Sequence, residues 1–158
     1  MSIRIGQGID FHQLKTGLEL WLGGVKIPSE KGCVAHSDGD VLLHAICDAL
    51  LGAAGLKDIG YYFPDNDINY KNIDSKILLK NTFDLISQKG YSVNNIDTTI
   101  CLEKPKISPF IEDMKKAISA IVEIQPYDIA VKATTTERLG FTGREEGIAA
   151  LAVVLITK

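Results

Sequence analysis

Apolar residues change their spacing along this chain, and each change marks a boundary between elements. From Ser2 to Phe11 and from Leu18 to Ile27 the spacing suits strands, with the polar turn Lys15-Thr16-Gly17 between them and a bend at Gly23-Gly24. The set Val41, Leu42, Ala45, Ile46, Ala49, Leu50 and Ala53 then falls on one face of a helix reaching about Ala54. Ser37-x-x-Asp40 ahead of it resembles a capping box with Asp in place of Glu, which puts the helix start there. His44 and Asp48 form a separate polar pair one turn apart. Lys57 to Asn72, rich in Gly, Pro, Asp and Asn, has no period, and loops of that length in compact domains tend to be functional or mobile. A second helix is predicted from Asp74 to Lys89, closed by Gly90. Tyr91–Glu103 reads as a strand on its β-branched Val93, Ile96, Thr98, Thr99 and Ile100.

After Pro105, residues Ile107, Phe110, Ile111, Met114, Ile118, Ile121 and Val122 share one face of a third helix. Ile129–Thr135 is another strand. Ile148–Ile156 is apolar for nine consecutive residues, which predicts a strand covered on both faces. The order β-β-α-α-β-α-β-β gives an α+β fold, one domain over residues 1–158, with a mixed sheet packed by helices on one face.

Composition narrows the partners. At 158 residues the chain can bury a proper core, and its 46% hydrophobic and 23% charged content is that of an ordinary globular protein. A net charge of -3 gives no electrostatic reason for nucleic acid or an anionic membrane as the main partner. Cys33, Cys47 and Cys101 are odd in number and lack a C-x-x-C pair, so they read as reduced, mostly buried thiols. No signal peptide or membrane span is visible, and a cytoplasmic, bacterial location is expected.

The chemistry is concentrated in two places. All three histidines lie in the first 44 residues, in Gly6-Gln7-Gly8-Ile9-Asp10-Phe11-His12 and Ala35-His36-Ser37-Asp38-Gly39-Asp40-Val41-Leu42-Leu43-His44. In a strand, residues two apart share a face, so Asp10 and His12 can grip one ion and His44 can add a third ligand from the helix. Two imidazoles and a carboxylate leave a tetrahedral metal one vacant position, the arrangement of a catalytic zinc site. His36 can be a fourth ligand, a general acid, a donor to a phosphate oxygen, or a surface residue without a role. Of Asp38, Asp40 and Asp48, one is expected to cap the helix and one to brace a ligand histidine. Asp58 with Gly60, and the turn Phe63-Pro64-Asp65-Asn66-Asp67, either contact sugar hydroxyls or simply make turns.

The second place is Lys132-Ala133-Thr134-Thr135-Thr136-Glu137-Arg138-Leu139-Gly140-Phe141-Thr142-Gly143-Arg144. Its hydroxyls, amides and guanidinium groups suit a phosphate, and Glu137 offers a hard oxygen for Mg²⁺. The plainer reading is a strand followed by a polar turn, with Thr favoured by β-propensity.

Together the phrases GQGIDFH, LGGVKIP, AHSDGDVLLHAICDALLGAAGLKDIGYYFPDND and VKATTTERLGFTGREEGIA resemble the 2-C-methyl-D-erythritol 2,4-cyclodiphosphate synthase family, in order and nearly end to end. The resemblance implies a homotrimer with active sites between neighbouring subunits. It implies Zn²⁺ on Asp10, His12 and His44, and Mg²⁺ or Mn²⁺ on Glu137 together with the substrate diphosphate. His36 and Thr135 would align and stabilise the phosphates as the catalytic pair. Asp58 matches a ribose-binding position, and Leu102, Glu103, Lys104, Pro105, Lys106, Ile107 and Ser108 match a backbone-lined cytosine pocket. The implied substrate contacts further include Asp10, Phe11, His12, Ser37, Ile59, Gly60, Phe63, Pro64, Asp65, Asn66, Asp67, Thr134, Thr136 and Glu137. Phe141 and Arg144 fall at positions bordering the substrate and a cavity on the trimer axis, where a prenyl diphosphate is a candidate occupant. The competing role for Arg144 is a structural pairing with Glu145 or Glu146.

The implied reaction closes 4-diphosphocytidyl-2-C-methyl-D-erythritol 2-phosphate into 2-C-methyl-D-erythritol 2,4-cyclodiphosphate and releases CMP, in the non-mevalonate isoprenoid pathway. That makes the chain a phosphorus-oxygen lyase. Two rivals share the residues: a metal-dependent phosphohydrolase using zinc-bound hydroxide, and a nucleotide- or isoprenoid-sensing trimer without turnover.

Overall fold

Strand β1 (Ile3–Thr16) lies paired along both edges in the computed structural model, which describes residues 2–158. A hairpin of β2 (Leu20–Leu22) and β3 (Val25–Ile27) follows, then the short strand β4 (Lys31–Val34). Helix α1 (Val41–Ala53), the four-residue α2 (Ile59–Tyr62) and α3 (Ser75–Gln88) come next. Strand β5 (Ser92–Cys101), helix α4 (Ile111–Val122), β6 (Ile129–Thr134), the four-residue α5 (Gly140–Gly143) and β7 (Gly147–Thr157) complete the chain. Five strands form one sheet in the order β4-β1-β7-β5-β6. Only β5 and β6 pair in parallel, through the crossover helix α4, so the sheet is mixed. Helices α1, α3 and α4 share one buried core with the inner face of that sheet. Among the described residues, no helix is long and apolar enough to cross a membrane.

Several boundaries differ from the sequence expectations for identifiable reasons. The first strand continues past Phe11 to Thr16, pairing Gln13–Thr16 with β4. That end is an edge pairing in which only Cys33 and Gly32 of β4 are buried, so neither segment carries an apolar alternation. The expected bend at Gly23-Gly24 is a full hairpin turn, Leu22 pairing with Val25 across glycines at φ 60° and 77°. Positive φ at both central positions is the type of turn whose twist matches the strands it joins. Helix α1 starts later than the Ser37 box would place it: its cap is Asp40, whose carboxylate accepts from the Leu43 N–H at 3.0 Å. The same carboxylate accepts from Gly23 N–H at 2.9 Å and Gly24 N–H at 2.7 Å, tying the hairpin to the helix.

Strand β7 also departs from expectation. Ile148, Ala150, Ala152, Val154 and Ile156 are buried against the helices, yet Leu151 and Val153 on the other face are 38% and 44% exposed. Within one chain the apolar run is therefore covered on its inner face, while the outer face beyond Ala149 is left largely open. Ile3, Ile5, Ile9 and Phe11 of β1 extend the same uncovered apolar face.

Candidate metal centre and substrate clefts

The alternation of β1 explains why its motif is written with two glycines. Gly6, Gly8, Asp10 and His12 point to the helix side, and α1 lies directly on the two glycines. A Cβ on Gly6 would sit 1.9 Å from the Ala49 carbonyl oxygen, and one on Gly8 2.0 Å from that of Ala45. Backbone-to-backbone approach at this distance is open only to glycine. It brings His44, one residue before Ala45, down to the next two inward positions of the strand.

The resulting donors are close. Asp10 Oδ2 lies 3.0 Å from His12 Nε2 and 3.1 Å from His44 Nδ1, and the two ring nitrogens are 3.1 Å apart. Four ligands at about 2.0 Å in a tetrahedron would stand roughly 3.3 Å from one another, so these three atoms fit three corners of a zinc site. Asp10, His12 and His44 thus form a group able to hold a metal ion, as the spacing predicted. Partial burial acts to raise the Asp10 pKa, but hydrogen bonds and charge from His12 and His44 outweigh it and hold the carboxyl well below the usual range.

The far side of His44 is braced. Its Nε2 donates to Ser75 Oγ at 2.9 Å, with Ser37 Oγ at 3.3 Å. The Ser75 hydroxyl in turn donates to Asp38, and the Ser75 N–H donates to the other Asp38 oxygen at 2.9 Å. With Nε2 committed to this chain of donors, Nδ1 is the ring nitrogen turned toward Asp10 and His12, and it would become the ligand atom on giving up its proton to a bound metal. The expected division among the acidic residues becomes specific: Asp40 caps, Asp38 braces through Ser75, and Asp48 accepts from the Ile59 N–H at 2.7 Å, anchoring α2. Ser75 itself escaped sequence reasoning, because after Asp74 it reads as part of a helix cap. Its 31-residue separation from His44 carries no local signal.

Asp10, His12 and His44 open into a cleft of about 460 Å³. Of the expected substrate contacts, His36, Ser37, Ile59, Gly60, Phe63 and Asp65 line it, and Tyr70, Ile73 and Leu78 add walls the sequence reading lacked. The His36 ring nitrogen Nε2 lies 3.4 Å from the Asp67 carbonyl. Asp67 and Asp58 are turn-makers here: Asp58 caps α2, and Asp67 caps the 3-10 turn Ile68–Tyr70. Pro64, Asn66 and Asp67 do not line the cleft, while Asp58 borders a neighbouring groove with Gln7, Ile9 and Asp48.

A second, smaller cleft of about 160 Å³ gathers Leu102, Glu103, Pro105, Lys106, Ile107 and Ser108 with Thr134 and Thr135. Glu137 stands beside it, its carboxylate accepting from Thr135 Oγ1 at 3.2 Å; Thr136 Oγ1 donates to the Leu139 carbonyl at 2.6 Å. Lys104 points away and pairs with Glu145 at 3.2 Å. One chain does not unite the two clefts. Asp10 faces Ala150, Ala150 faces Ile100, and Ile100 faces Ala133, which puts three strand spacings, about 14 Å, between the ligand strand β1 and β6. Phe11 lies on the outer face of the sheet, edge-on to Phe141 at 5.9 Å between ring centres. Arg144 is held by Glu146 through two hydrogen bonds of 3.0 Å. A larger cavity, about 590 Å³ beside Leu18, Trp21 and Cys33, contains none of the three metal-facing residues.

Known proteins with this architecture carry informative names. The model of the YgbB family matches residues 3–157. The 2-C-methyl-D-erythritol 2,4-cyclodiphosphate synthase of Bacteroides fragilis is 60% identical over 158 residues, covering 100% of this chain and 99% of the relative. Among solved structures, the bifunctional IspDF of Campylobacter jejuni superposes with a TM-score of 0.94 at 44% identity, over 98% of this chain but only 42% of that one. The IspF of Plasmodium falciparum, solved as a CDP complex, superposes at 0.86 with 39% identity, over 98% of this chain and 96% of that one. By the family match and these identities, the chain belongs to the YgbB family, in the company of the 2-C-methyl-D-erythritol 2,4-cyclodiphosphate synthases.

Proposed function

We propose that this chain converts 4-diphosphocytidyl-2-C-methyl-D-erythritol 2-phosphate into 2-C-methyl-D-erythritol 2,4-cyclodiphosphate and CMP. The observation that carries the reading is the Asp10–His12–His44 group opening into a polar-and-apolar cleft, in a chain 60% identical end to end to a synthase of that name. An oxygen of the 2-phosphate attacks the β-phosphorus, the bond from that phosphorus to the bridging oxygen breaks, and CMP leaves with the electron pair. Two anions must meet and an eight-membered ring must close. A zinc ion held by Asp10, His12 and His44 would supply a Lewis acid, and Mg²⁺ or Mn²⁺ held by Glu137 would supply charge neutralisation for the diphosphate.

The chain's own residues do the rest. His36 and Ser37 at the lip of the metal cleft orient the phosphate, and the Thr135 hydroxyl serves the diphosphate end. Ile59, Phe63, Ile73 and Leu78 give the methylerythritol carbons an apolar wall. Asp58 takes the ribose and the backbone of Leu102–Ser108 takes the cytosine. Holding both ends of one molecule contributes to ring closure, for which well-oriented intramolecular reactions gain roughly 7–11 kcal/mol. No protein nucleophile is required: burial, then nearby carboxylates, push the Cys33 and Cys47 thiols up to about 12. The three free cysteines suit a reducing compartment such as the bacterial cytoplasm.

Two features support a homotrimer in which neighbours complete each other's sites. The metal cleft and the base cleft lie three strands apart on one chain, and the sheet's outer face exposes Ile3, Ile5, Ile9, Phe11, Leu151 and Val153. Closed threefold packing of that face would cover it. Phe141 and Arg144 sit at its end, which suits a prenyl diphosphate on the axis with its tail among the apolar side chains. The Glu146 pairing of Arg144 means such a head group must displace or share that carboxylate.

The test is direct. Purified protein with zinc and Mg²⁺ is given the cytidylyl substrate, and phosphorus NMR should show the cyclic diphosphate with one equivalent of CMP. Release of inorganic phosphate instead would establish a phosphohydrolase, and tight binding without turnover a sensor.

A further inference from the structure

Glu103 reaches across from the second cleft to the turn that carries Thr135 and Glu137. Its Oε1 accepts from the Thr136 N–H and from the Arg138 N–H, each at 3.2 Å. Between those two amides the backbone is unusual: Glu137 and Arg138 are consecutive non-glycine residues at φ 53° and 63°. Each left-handed residue of this kind is disfavoured for an L side chain, so a pair in succession persists only when its surroundings fix it. On one side the turn is fixed by local partners. Gly143 packs so closely that a Cβ there would lie 2.1 Å from the Arg138 carbonyl carbon, and Thr136 Oγ1 lies 2.8 Å from Thr142 Oγ1. Glu103 is the partner on the other side, 33 and 35 residues away, and it belongs to the wall of the second cleft.

From this juxtaposition we infer that Glu103 is a positioning residue, holding the Thr135–Arg138 turn in register with the nucleotide-base pocket so that base binding and diphosphate–cation binding reinforce each other. The inference rests on the cyclisation reading for what the two ends hold. Its geometric content is independent of that reading: a side-chain oxygen on the base wall decides where the Glu137 carboxylate stands. A glutamine keeps an acceptor oxygen at the same reach, whereas an alanine leaves two amides without a partner and the left-handed pair unsupported on that side.

The test uses the full-length, zinc-loaded protein and two variants, Glu103→Gln and Glu103→Ala. Amide hydrogen exchange is read at Thr136 and Arg138 without ligand, and CMP and CDP affinities are measured by calorimetry with and without Mg²⁺. In Glu103→Ala both amides should exchange roughly tenfold faster or more, as expected for loss of a hydrogen bond of ordinary net strength. The Mg²⁺-dependent preference for CDP over CMP should fall about tenfold, with CMP affinity retained within about threefold. Glu103→Gln should stay near the parent in both readouts. Unchanged protection in Glu103→Ala, an unchanged CDP preference despite lost protection, or equal losses in Glu103→Gln would each overturn the inference. If the parent binds neither nucleotide, the cyclisation reading fails, while the exchange result still decides whether Glu103 holds the turn.

Discussion

Replacing Gly8 with alanine tests the claim that the metal ligands meet because a helix lies directly on a strand. The added Cβ would lie 2.0 Å from the Ala45 carbonyl oxygen and 2.8 Å from the Ala49 N, where ordinary contacts begin near 3.4 Å. Relief requires α1 to lift from β1 by about 1 Å or more. Both atoms met are backbone of a buried helix, so no flexible side chain can yield in their place. Overpacking of this kind costs about 1–3 kcal/mol and occasionally more. For a domain near this size each kcal/mol lowers Tm by about 2–4 °C, so a drop of roughly 5–10 °C is expected by calorimetry. His44 would move with the helix, stretching its 3.1 Å spacings to Asp10 and His12 towards 4 Å, beyond the roughly 3.3 Å edge a tetrahedral zinc demands. Zinc affinity, read by competition with a chromophoric chelator, should fall at least tenfold. Gly52→Ala is the control of opposite sign: its Cβ meets nothing nearer than the Gln7 oxygen at 3.9 Å, and alanine in place of glycine at an unstrained position gains about 0.4–1 kcal/mol. Wild-type stability and zinc affinity in Gly8→Ala would refute the close-approach argument.

Three further outcomes follow from the site. Ser75→Ala removes the acceptor of His44 Nε2 and the donor to Asp38, so zinc affinity should drop about 10–100-fold with the fold intact; chelator competition giving the parent value would dismiss the brace. Glu137→Gln should raise the Mg²⁺ concentration needed for turnover and leave zinc content at one per chain by metal analysis, whereas loss of zinc would mean the two cation positions have been exchanged. Because burial holds the Cys33 and Cys47 pKa values near 12, only about one thiol in 10⁴ is ionised at pH 8. Both should resist iodoacetamide in the native protein and react on unfolding, and rapid native labelling of either, located by mass spectrometry, would contradict their place in the core.

What could be read from the sequence depended on the range over which each signal acts. The α1 stripe and the D-x-H spacing are local periodicities, and both elements and the three metal-facing residues appear as expected. Ser75 was illegible because its partner lies 31 residues away and its own neighbourhood advertises a helix cap. The strand β4 went unseen since four residues with one inward apolar side chain carry no alternation. Asp40 rather than Ser37 caps α1 because it alone can also satisfy two glycine amides of a distant hairpin, a tertiary demand that outweighs the capping-box pattern. Periodicity was silent on the separation of the two clefts, since their motifs lie on β1 and β6 and strand order is a property of the whole topology; only the family resemblance, with its sites between subunits, anticipated it.

Helix α1 is buried on nearly every side, between the sheet and α3, with only Asp48 and Gly52 reaching the surface. The opposite wall of the same cleft is built from α2 and the turn at Ile68, two short pieces capped by single aspartates, with Tyr61 60% and Ile68 74% exposed. Opening of well-buried core elements costs the full free energy of unfolding, while thinly packed surface segments open locally at far lower cost. One cleft therefore has two clocks. His44 keeps its place for as long as the core stays folded, whereas the outer wall rearranges by local opening, on microseconds to milliseconds. The geometry of the three metal-facing side chains is thus set by the wall that stays still, and changes of cleft shape fall to the wall opposite.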